Sequence, residues 1–480
     1  VADTDNVEAI EVLKAVGIMV GDENGDFNPD ENVTRNEMAV VMSNLMEYNV
    51  ASYANTSPFT DVPSWAEPYV AARWANGITA GTSATTYGGS DNVTTSQAAL
   101  MLMKALGYFQ YSQDFGNDWQ LATATKGNDI DLFDGVDSGL RDAMTRNDLA
   151  QLVLNTLESG TVQASTSGSI TVGGVTIATD VQYNYVTSNA GYAKSISGAL
   201  STDANSDAGR PIVELGEDLY QGDLAKAKDH DAFGRPAAIW AYKDNEIGTY
   251  VDDRTQTWTT KVTERDLYRA AGTAAVNDYE WNYWIDGERH TMDGSALDRN
   301  DTDRWQTTGN GVLTEMFVDT VAETVDVTVI HTYVAEVSRV EANEDDNDYT
   351  VTVNLKTRPA GVGVNREFST ETEFARGDIV VVNIANGSIE TMTLAETVEG
   401  TVSAVKDNDY LKIDGNPYNY NYAYTTDAVL QGYTSENKGL YDLENNTPAN
   451  PGAGDEVLLY LDANGCLVAV AEAGEVAEDY

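Results

Sequence analysis

The front of the chain contains Val33-Thr34-Arg35-Asn36-Glu37-Met38-Ala39, and this stretch recurs twice in altered form. The later copies are Val93-Thr94-Thr95-Ser96-Gln97-Ala98-Ala99 and Met144-Thr145-Arg146-Asn147-Asp148-Leu149-Ala150. In each copy a threonine precedes apolar residues at helical spacing, and Glu, Gln or Asp follows three residues after the threonine. This pattern is typical of a capping box, so the sequence predicts three helices that begin in the same way.

A glycine precedes each capped helix. Copy one has Gly17-Ile18-Met19-Val20-Gly21 and copy two has Gly77-Ile78-Thr79-Ala80-Gly81, at the offset that also separates the first two threonines. A looser third copy preserves the order of an aromatic residue, a tryptophan and a glycine: Phe59, Trp65 and Gly77 correspond to Phe115, Trp119 and Gly127. We therefore predict in each copy a helix that a glycine ends, a turn-rich loop and a second, capped helix.

The composition changes near residue 160. Short alternating segments rich in Thr, Val and Tyr follow, and they predict strands. We expect one hairpin within residues 169–177, around Gly173-Gly174, and another within residues 239–250, around a turn at 243–246. A short helix is expected within residues 219–228.

The C-terminal third contains a second duplication. Val337-Ser338-Arg339-Val340, Gly377-Asp378 and Asn386-Gly387 return as Val402-Ser403-Ala404-Val405, Gly454-Asp455 and Asn464-Gly465. We therefore expect two related β-units, each with a type I′ turn at its Asn-Gly pair.

The fold class that follows is multi-domain, with an all-α front and β-rich domains after it, first α+β and then barrel- or sandwich-like. The front of three repeats is expected at residues 1–160, with copies at about 1–50, 59–110 and 115–160. The α+β domain is expected at 161–335, and the two β-units at 336–399 and 400–480.

Composition argues against several classes of function. The chain has 77 acidic and 28 basic residues and a net charge of −49, which makes nucleic acid and anionic lipid poor partners. No apolar run is long enough to cross a bilayer, and the single cysteine, Cys466, excludes an internal disulfide. Calcium is a possible cofactor because acidic copies need screening, but the loop at 22–26 has Phe27 at the glycine position of an EF-hand and is read as a turn.

Motifs that would carry catalysis are missing from the sequence. There is no nucleophile elbow, Walker loop, zincin helix or Cys-x-x-Cys pair, and the three histidines, His230, His290 and His331, are far apart in the chain. Each histidine is interpreted as a surface or strand residue. We therefore expect no enzymatic activity.

Several linked elements of the front resemble the S-layer homology family. The family has an aromatic-x-Asp-Val start, a Trp, a Gly-Ile-x-x-Gly stop, a Gly-x-Phe-x-Pro loop and a Thr-Arg-x-Glu helix start. Phe59-Thr60-Asp61-Val62, Gly25-Asp26-Phe27-Asn28-Pro29 and Thr34-Arg35-Asn36-Glu37 match three of these. The resemblance implies a pseudo-threefold helical bundle whose grooves bind secondary cell-wall polysaccharide, often with a pyruvylated, anionic sugar, at the surface of a Gram-positive cell.

The family's binding arginine corresponds to Arg35 in copy one and Arg146 in copy three, whereas copy two has Thr95. A planar guanidinium suits a carboxylate through two parallel hydrogen bonds. The alternative role for both arginines is a structural salt bridge.

The resemblance also implies that sugar approaches the backbone at Gly17 and Gly77 and stacks on the ring of Trp65 or Trp119. The alternatives are glycines that only end a helix and tryptophans that belong to the core.

Each copy departs from the family pattern. Copy one lacks the aromatic start and the Trp, copy two lacks the arginine, and copy three lacks the Gly-x-Phe-x-Pro loop. We therefore expect only one or two working grooves. The favoured function is that of a structural surface-layer protein that is anchored through the repeats and assembles with copies of itself; the alternative is a tethered glycan-binding adhesin or glycoside hydrolase.

Overall fold

The computed structural model describes residues 6–22, 25–172, 175–179, 181–187, 206–207, 210–343 and 348–474. The chain forms two compact units. The first comprises Val1–Lys228 and Ala238–Tyr250, and the second comprises Asp229–Ala237 and Val251–Tyr480. The expected helical front followed by a β-rich remainder is confirmed, whereas the domain boundaries stay predictions.

Helices dominate the front of the first unit, and each repeat contributes two of them. They are α1 (Val7–Ala15), α2 (Arg35–Leu45), α3 (Glu67–Ala75), α4 (Thr95–Leu106), α5 (Trp119–Asp129) and α6 (Arg146–Leu157). The second helix of each repeat packs on the first helix of the next: α2 on α3, α4 on α5, and α6 back on α1. The helices therefore close into a ring around an apolar core that includes Leu13, Met42, Leu102 and Leu149.

Three residues at the centre of this ring bond to one another in a cycle. The Val33 amide donates to the Met144 carbonyl, Val93 donates to Val33, and Met144 donates to Val93, each at 2.9 Å. Each of these residues directly precedes a capping threonine, so the three chain segments meet where the second helices begin. This cyclic pairing gives the bundle the pseudo-threefold arrangement that the repeats predict.

Two of the three capping boxes are complete. The Thr34 side chain accepts from the Glu37 amide while Glu37 Oε2 accepts from the Thr34 amide at 2.8 Å, and Thr94 and Gln97 repeat this arrangement. Thr145 caps the third helix, but its partner Asp148 instead accepts hydrogen bonds from Ser138.

The prediction that Gly127 ends the first helix of copy three is wrong. Gly127 lies inside α5, where the ring of Phe133 occupies the space of a β-carbon. The helix ends at Asp129, and the residue with positive φ that follows it is Asp131, whose φ of 53° corresponds to the φ of 77° at Gly17 and 70° at Gly77. The Leu132 amide then bonds back to the Gly127 carbonyl at 2.8 Å, as Ile18 bonds to Leu13 in copy one.

Strands follow the bundle. They are β1 (Val162–Ser165), β2 (Gly168–Val172), β3 (Val175–Thr179), β4 (Gln182–Tyr185), β5 (Ser206–Asp207), β6 (Arg210–Pro211), β7 (Leu224–His230), β8 (Pro236–Tyr242) and β9 (Asn245–Val251), with α7 (Leu215–Tyr220) before β7. Pairs form between β1 and β4, β2 and β3, and β5 and β6, and β7, β8 and β9 form a sheet in that order.

Two of the three local expectations for this segment hold. The hairpin strands β2 and β3 pair as predicted, although their Gly173-Gly174 turn lies outside the described residues. The second hairpin turns at Lys243 and Asp244, both with positive φ. The helix expected within 219–228 is wrong, because Gln221 and Gly222 adopt positive φ and end α7 before the strand β7 begins.

Buried side chains fix this sheet to the bundle within the first unit. The Trp240 ring is fully buried, and its indole nitrogen donates to Glu8 Oε1 at 2.6 Å. Tyr250 donates to Glu11 on the same helix, and Lys226 pairs with Glu158 at 2.5 Å. Burial raises the pKa of Glu158 to about 7, although the Lys226 ammonium acts in the opposite direction.

The second unit begins with a helix on a mixed sheet. Its elements are β10 (Gln256–Trp258), α8 (Glu264–Asp278), β11 (Glu280–Ile285), β12 (Glu288–Met292), β13 (Leu313–Asp319) and β14 (Thr324–Ile330). The strand order is β10-β13-β14-β11-β12, with β11 parallel to β14. Apolar residues of α8, such as Leu267 and Val276, pack on Val325 and Val327 of the central strand.

Two β-units with matching strand pairings complete the chain. The first has β15 (Tyr333–Asn343), β16 (Asp348–Leu355), β17 (Glu367–Thr370), β18 (Ile379–Ala385) and β19 (Ser388–Leu394). The second has β20 (Glu396–Lys406), β21 (Tyr410–Ile413), β22 (Asn416–Asn419), β23 (Leu440–Asp442), β24 (Thr447–Ala449), β25 (Glu456–Leu461) and β26 (Leu467–Glu472). The orders β17-β16-β15-β18-β19 and β22-β21-β20-β25-β26 correspond strand for strand, and β23 and β24 extend the second sheet.

The correspondence extends to one hydrogen bond. A bulge interrupts the first long strand of each unit at Ser338 and at Ser403. The Ser338 hydroxyl donates to the Thr352 carbonyl at 2.8 Å, and Ser403 donates to the Lys412 carbonyl at 3.1 Å. The duplication expected from the sequence is therefore present in the backbone as well.

Only one of the two expected type I′ turns forms. Asn386 and Gly387 have φ of 50° and 86° and join β18 to β19 directly. Of the pair Asn464 and Gly465 in the second unit, only Gly465 has positive φ, because the Asp462 carboxylate accepts from the Asn464 and Cys466 amides and stabilises a longer turn. A side-chain oxygen thus stabilises this longer turn, which replaces the expected type I′ turn.

Candidate functional site

A groove of about 830 Å³ lies on the bundle, and all three repeats contribute to it. We call it groove A. Copy one supplies its loop from Ile18 to Asn28 and the outer face of α2, copy two supplies Trp65 and Tyr69, and copy three supplies Arg146. A groove is thus formed by the loop of one repeat, the tryptophan of the next and the arginine of the preceding one in the ring.

Arg146 is fixed to the loop of copy one. Its Nε donates to the Phe27 carbonyl at 2.6 Å and one Nη donates to the Val20 carbonyl at 2.9 Å. The guanidinium lies over the Phe27 ring, 4.7 Å from its centroid. The arginine therefore holds the loop while it lines the groove.

Arg35 makes the same contacts one repeat further on, in the position we call groove B. Its Nε donates to the Tyr87 carbonyl at 3.2 Å, Nη2 donates to the Ala80 carbonyl at 2.8 Å, and the guanidinium lies 4.6 Å from the Tyr87 ring centroid. Among the described residues neither arginine forms an ion pair with a carboxylate, and both bond to backbone carbonyls instead. The binding role of both arginines stays a prediction.

A further carboxylate supports the loop of copy two beside Arg35. Asp61, from the aromatic-x-Asp-Val start, accepts from the Tyr87 amide at 2.7 Å and the Gly88 amide at 2.8 Å. The bond from Tyr87 and then that from Gly88 lower the pKa of this carboxyl, and Arg35 adds to the effect.

The third position of the ring, groove C, keeps the backbone bond of Thr95 N to the Asp142 carbonyl but lacks the arginine contacts of grooves A and B. Thr95 takes the place of the arginine, and its hydroxyl donates to the Ser138 carbonyl at 3.3 Å. Ser138 itself stands where grooves A and B have Phe27 and Tyr87, so the arginine and its aromatic partner are lost together. The Asn6 side chain bonds across this position, to the Gly135 and Asn147 carbonyls.

The tryptophan is missing from groove C as well. By the offset that relates copies one and two, Asp5 stands at the position of Trp65. The missing tryptophan of copy one, the missing arginine of copy two and the missing loop of copy three therefore concern the same groove. Grooves A and B each retain an arginine, an aromatic ring under it and a tryptophan.

The two tryptophans are placed differently from core residues. Trp65 is 55 % exposed and lines groove A, so its interpretation as a core residue is wrong. Trp119 is 36 % exposed and is the first residue of α5, at the same distance before Asp131 as Trp65 is before Gly77. Trp119 is therefore the equivalent residue beside groove B, and stacking of sugar on either ring stays a prediction.

The glycines divide into two kinds. Gly17 and Gly77 have positive φ, and a β-carbon at either would meet no atom within 4 Å, which fits a residue that only ends a helix. Gly21 and Gly81, four residues later, have no room for a β-carbon, because it would overlap the Gly25 backbone and the Phe59 ring respectively. The sequence contains both glycines of each pair, but steric need is visible only in the structure.

A buried ion pair was not expected from the sequence. His331 is fully buried between β14 and β15, and its Nδ1 lies 2.9 Å from Asp286 Oδ2. Its Nε2 lies 3.3 Å from the Thr307 carbonyl, so both ring nitrogens face acceptors. Burial alone lowers the pKa of His331, but the Asp286 carboxylate and the Thr307 carbonyl outweigh it and raise that pKa.

The structure places no calcium site among the described residues. Within them, no three His, Cys, Asp or Glu side chains come close enough to hold a metal ion. In the loop at 22–26, Asp22 Oδ1 accepts from the Asp26 amide at 3.1 Å, and residues 23–24 lie outside the described residues. The acidic cluster at 344–346 lies outside the described residues, so a role for calcium stays a prediction.

Comparison with known proteins relates the front of the chain to one family. The S-layer homology domain matches residues 2–39 and 58–99. The surface-layer 125 kDa protein of Lysinibacillus sphaericus is 36 % identical over 100 residues, which are 20 % of this chain and 8 % of that protein. The middle cell wall protein of Brevibacillus brevis is 27 % identical over 161 residues, 32 % of this chain and 15 % of that protein.

A surface layer protein of Brevibacillus choshinensis is 26 % identical over 135 residues, which are 27 % of this chain and 12 % of that protein. The chain thus matches only a small part of the length of each relative. No helix in the described ranges has the length and apolar character that a membrane span requires.

Proposed function

Since the chain is a cell-surface protein with S-layer homology repeats at its N-terminal end, we propose that grooves A and B bind secondary cell-wall polysaccharide and that groove C does not. One observation carries this proposal. Grooves A and B each have an arginine held over an aromatic ring and an exposed tryptophan beside it, and groove C has none of these. Anchoring is therefore non-covalent and uses two of three sites.

The chemistry of groove A suits a sugar chain. The Trp65 ring offers an apolar face on which a sugar ring stacks, and Met19 and Val40 extend that apolar surface. Carboxylates such as Asp26 and Glu31 accept hydrogen bonds from hydroxyl groups. In the part of the chain that the structure describes, Nη1 of Arg146 has no hydrogen-bond partner and is available to a ligand oxygen.

The strand-rich remainder supplies contacts between copies in a surface array. The relatives named as surface-layer proteins support this part of the proposal, as does the absence of catalytic motifs from the sequence. Copies with a net charge of −49 repel one another, so assembly requires that cations screen or bridge them.

The test is binding of the full chain to purified cell wall. A Trp65→Ala/Trp119→Ala variant removes one exposed ring from each of grooves A and B and leaves the core unchanged. Loss of about 1 kcal/mol of stacking at each ring lowers the affinity of each groove at least about fivefold. Trp74→Ala is the matched control, because Trp74 is 42 % exposed but does not line groove A.

Unchanged binding by the double variant, with the control also unchanged, would remove grooves A and B as anchors. Melting curves of the three proteins must coincide, so that a difference in binding does not reflect unfolding.

A further inference from the structure

Grooves A and B differ in charge at equivalent positions. The equivalence rests on shared backbone hydrogen bonds: Arg146 N donates to the Glu31 carbonyl as Arg35 N donates to the Asp91 carbonyl, at 2.8 and 2.9 Å. The carboxylates that line groove A are Asp22, Asp26, Glu31 and Glu37. The equivalent residues beside groove B are Thr82, Thr86, Asp91 and Gln97. Three of four carboxylates are thus replaced by neutral groups.

The basic groups differ in the opposite direction. Groove A has Arg146 and, at the end of α2, Asn44, whose amide donates to the Ile18 carbonyl at 3.2 Å. At the position of Asn44, groove B has Lys104, whose ammonium lies 3.4 Å from the Gly77 carbonyl. Groove B therefore has both Arg35 and Lys104. Asp61 also lies near Arg35, but two backbone amides already occupy its oxygens.

These differences determine which charge each groove accepts. A carboxylate on a bound sugar would face four like charges and one arginine in groove A. In groove B the same group would face two cations, with Asp91 and Asp61 as the opposing charges. At short range the like charges of groove A repel a carboxylate, and the two cations of groove B attract it.

We propose that groove B binds the segment of the polysaccharide that carries a carboxylate, and that groove A binds uncharged sugars. This proposal rests on the proposed function. A single polymer with both kinds of sugar then engages the two grooves in a fixed order. Joint engagement also raises the overall affinity above that of either groove, since the second contact is intramolecular.

The test exchanges charges between the grooves. Gln97→Glu/Lys104→Asn gives groove B the residues of groove A, and Asp22→Thr/Glu37→Gln does the reverse. Each new residue already occurs at the equivalent place in the neighbouring repeat, and Gln97 shows that glutamine maintains the capping box. The probes are purified wall polysaccharide with its acidic substituents and the same polymer after their chemical removal.

The groove B variant is expected to bind the acidic polymer about tenfold more weakly and the neutral polymer as the wild type does. The groove A variant is expected to bind the acidic polymer at least as tightly as the wild type. Equal losses in both variants, or a loss that is the same for both polymers, would overturn the assignment. If the wild type bound neither polymer, the proposed function itself would fail.

Discussion

The guanidinium of Arg146 lies 4.7 Å from the centroid of the Phe27 ring, although 119 residues of sequence separate the two. This contact joins the last repeat of the bundle to the first, and its arginine is the residue that the family resemblance assigns to ligand binding. The same side chain therefore closes the ring of repeats and lines a groove. A loss of wall binding on its removal would not by itself identify a ligand contact.

Removal of Arg146 should destabilise the bundle. Arg146→Ala abolishes two hydrogen bonds from a charged donor and the contact with the Phe27 ring, which together stabilise the fold by about 2–3 kcal/mol. Urea unfolding of the full chain measures the change. Arg141→Ala is the control, because Arg141 is exposed. Equal free energies of unfolding for the two variants would show that the Arg146 side chain does not stabilise the bundle.

The two kinds of glycine should respond differently to a methyl group. Gly81→Ala forces a β-carbon into the Phe59 ring and two carbonyl oxygens, which costs about 2–3 kcal/mol or more. In Gly77→Ala the new β-carbon meets no atom, and only the φ of 70° is unfavourable, which lowers the free energy of unfolding by about 1 kcal/mol. Thermal unfolding ranks the two variants, and the reverse order would contradict the steric argument.

The pair of His331 and Asp286 should make the stability of the second unit depend on pH. The pKa of His331 is raised in the folded state, so the stabilising effect is complete below the unfolded value of about 6.5 and is lost as the pH rises through the folded value. His331→Gln should therefore lower the free energy of unfolding most near about pH 6, by on the order of 3 kcal/mol, and less near about pH 9. Denaturant titrations of both proteins across this range measure the difference.

A cost that stays constant from acid to alkaline pH would contradict a charged His331. His290→Gln is a suitable control, because His290 stacks on Tyr283 and forms no ion pair with the described residues.

Assembly should depend on divalent cations. Because the chain has a net charge of −49, removal of calcium by a chelator is expected to disperse ordered sheets or filaments, and its return to restore them. Electron microscopy of purified protein with and without calcium gives the answer. Arrays that are indifferent to a chelator would rule out bridging by calcium.

Local signals in the sequence predicted the helical front well. Three local features appear as predicted: the capping threonines, the offset between copies one and two, and the glycines with positive φ. Each depends on residues that are close together in the sequence. Copy three was harder, because Asp131 performs the role of a glycine there and Gly127 instead makes room for the Phe133 ring.

The grooves themselves could not be read from the sequence. The lining of groove A comes from three repeats, and the position of the missing arginine in copy two lies next to the loop of copy three. The cyclic bonds of Val33, Val93 and Met144 bring the arginine position of copy two beside the loop of copy three, in groove C. The pairing of His331 with Asp286 is likewise a tertiary contact, 45 residues apart, that no local pattern indicates.

The most direct test of the account is a crystal structure of the full chain soaked with an oligosaccharide from the wall polymer. The account predicts density for sugar against Trp65 in groove A and against Trp119 in groove B, with groove C empty beside Thr95. Sugar bound in groove C, or bound elsewhere with grooves A and B empty, would contradict it.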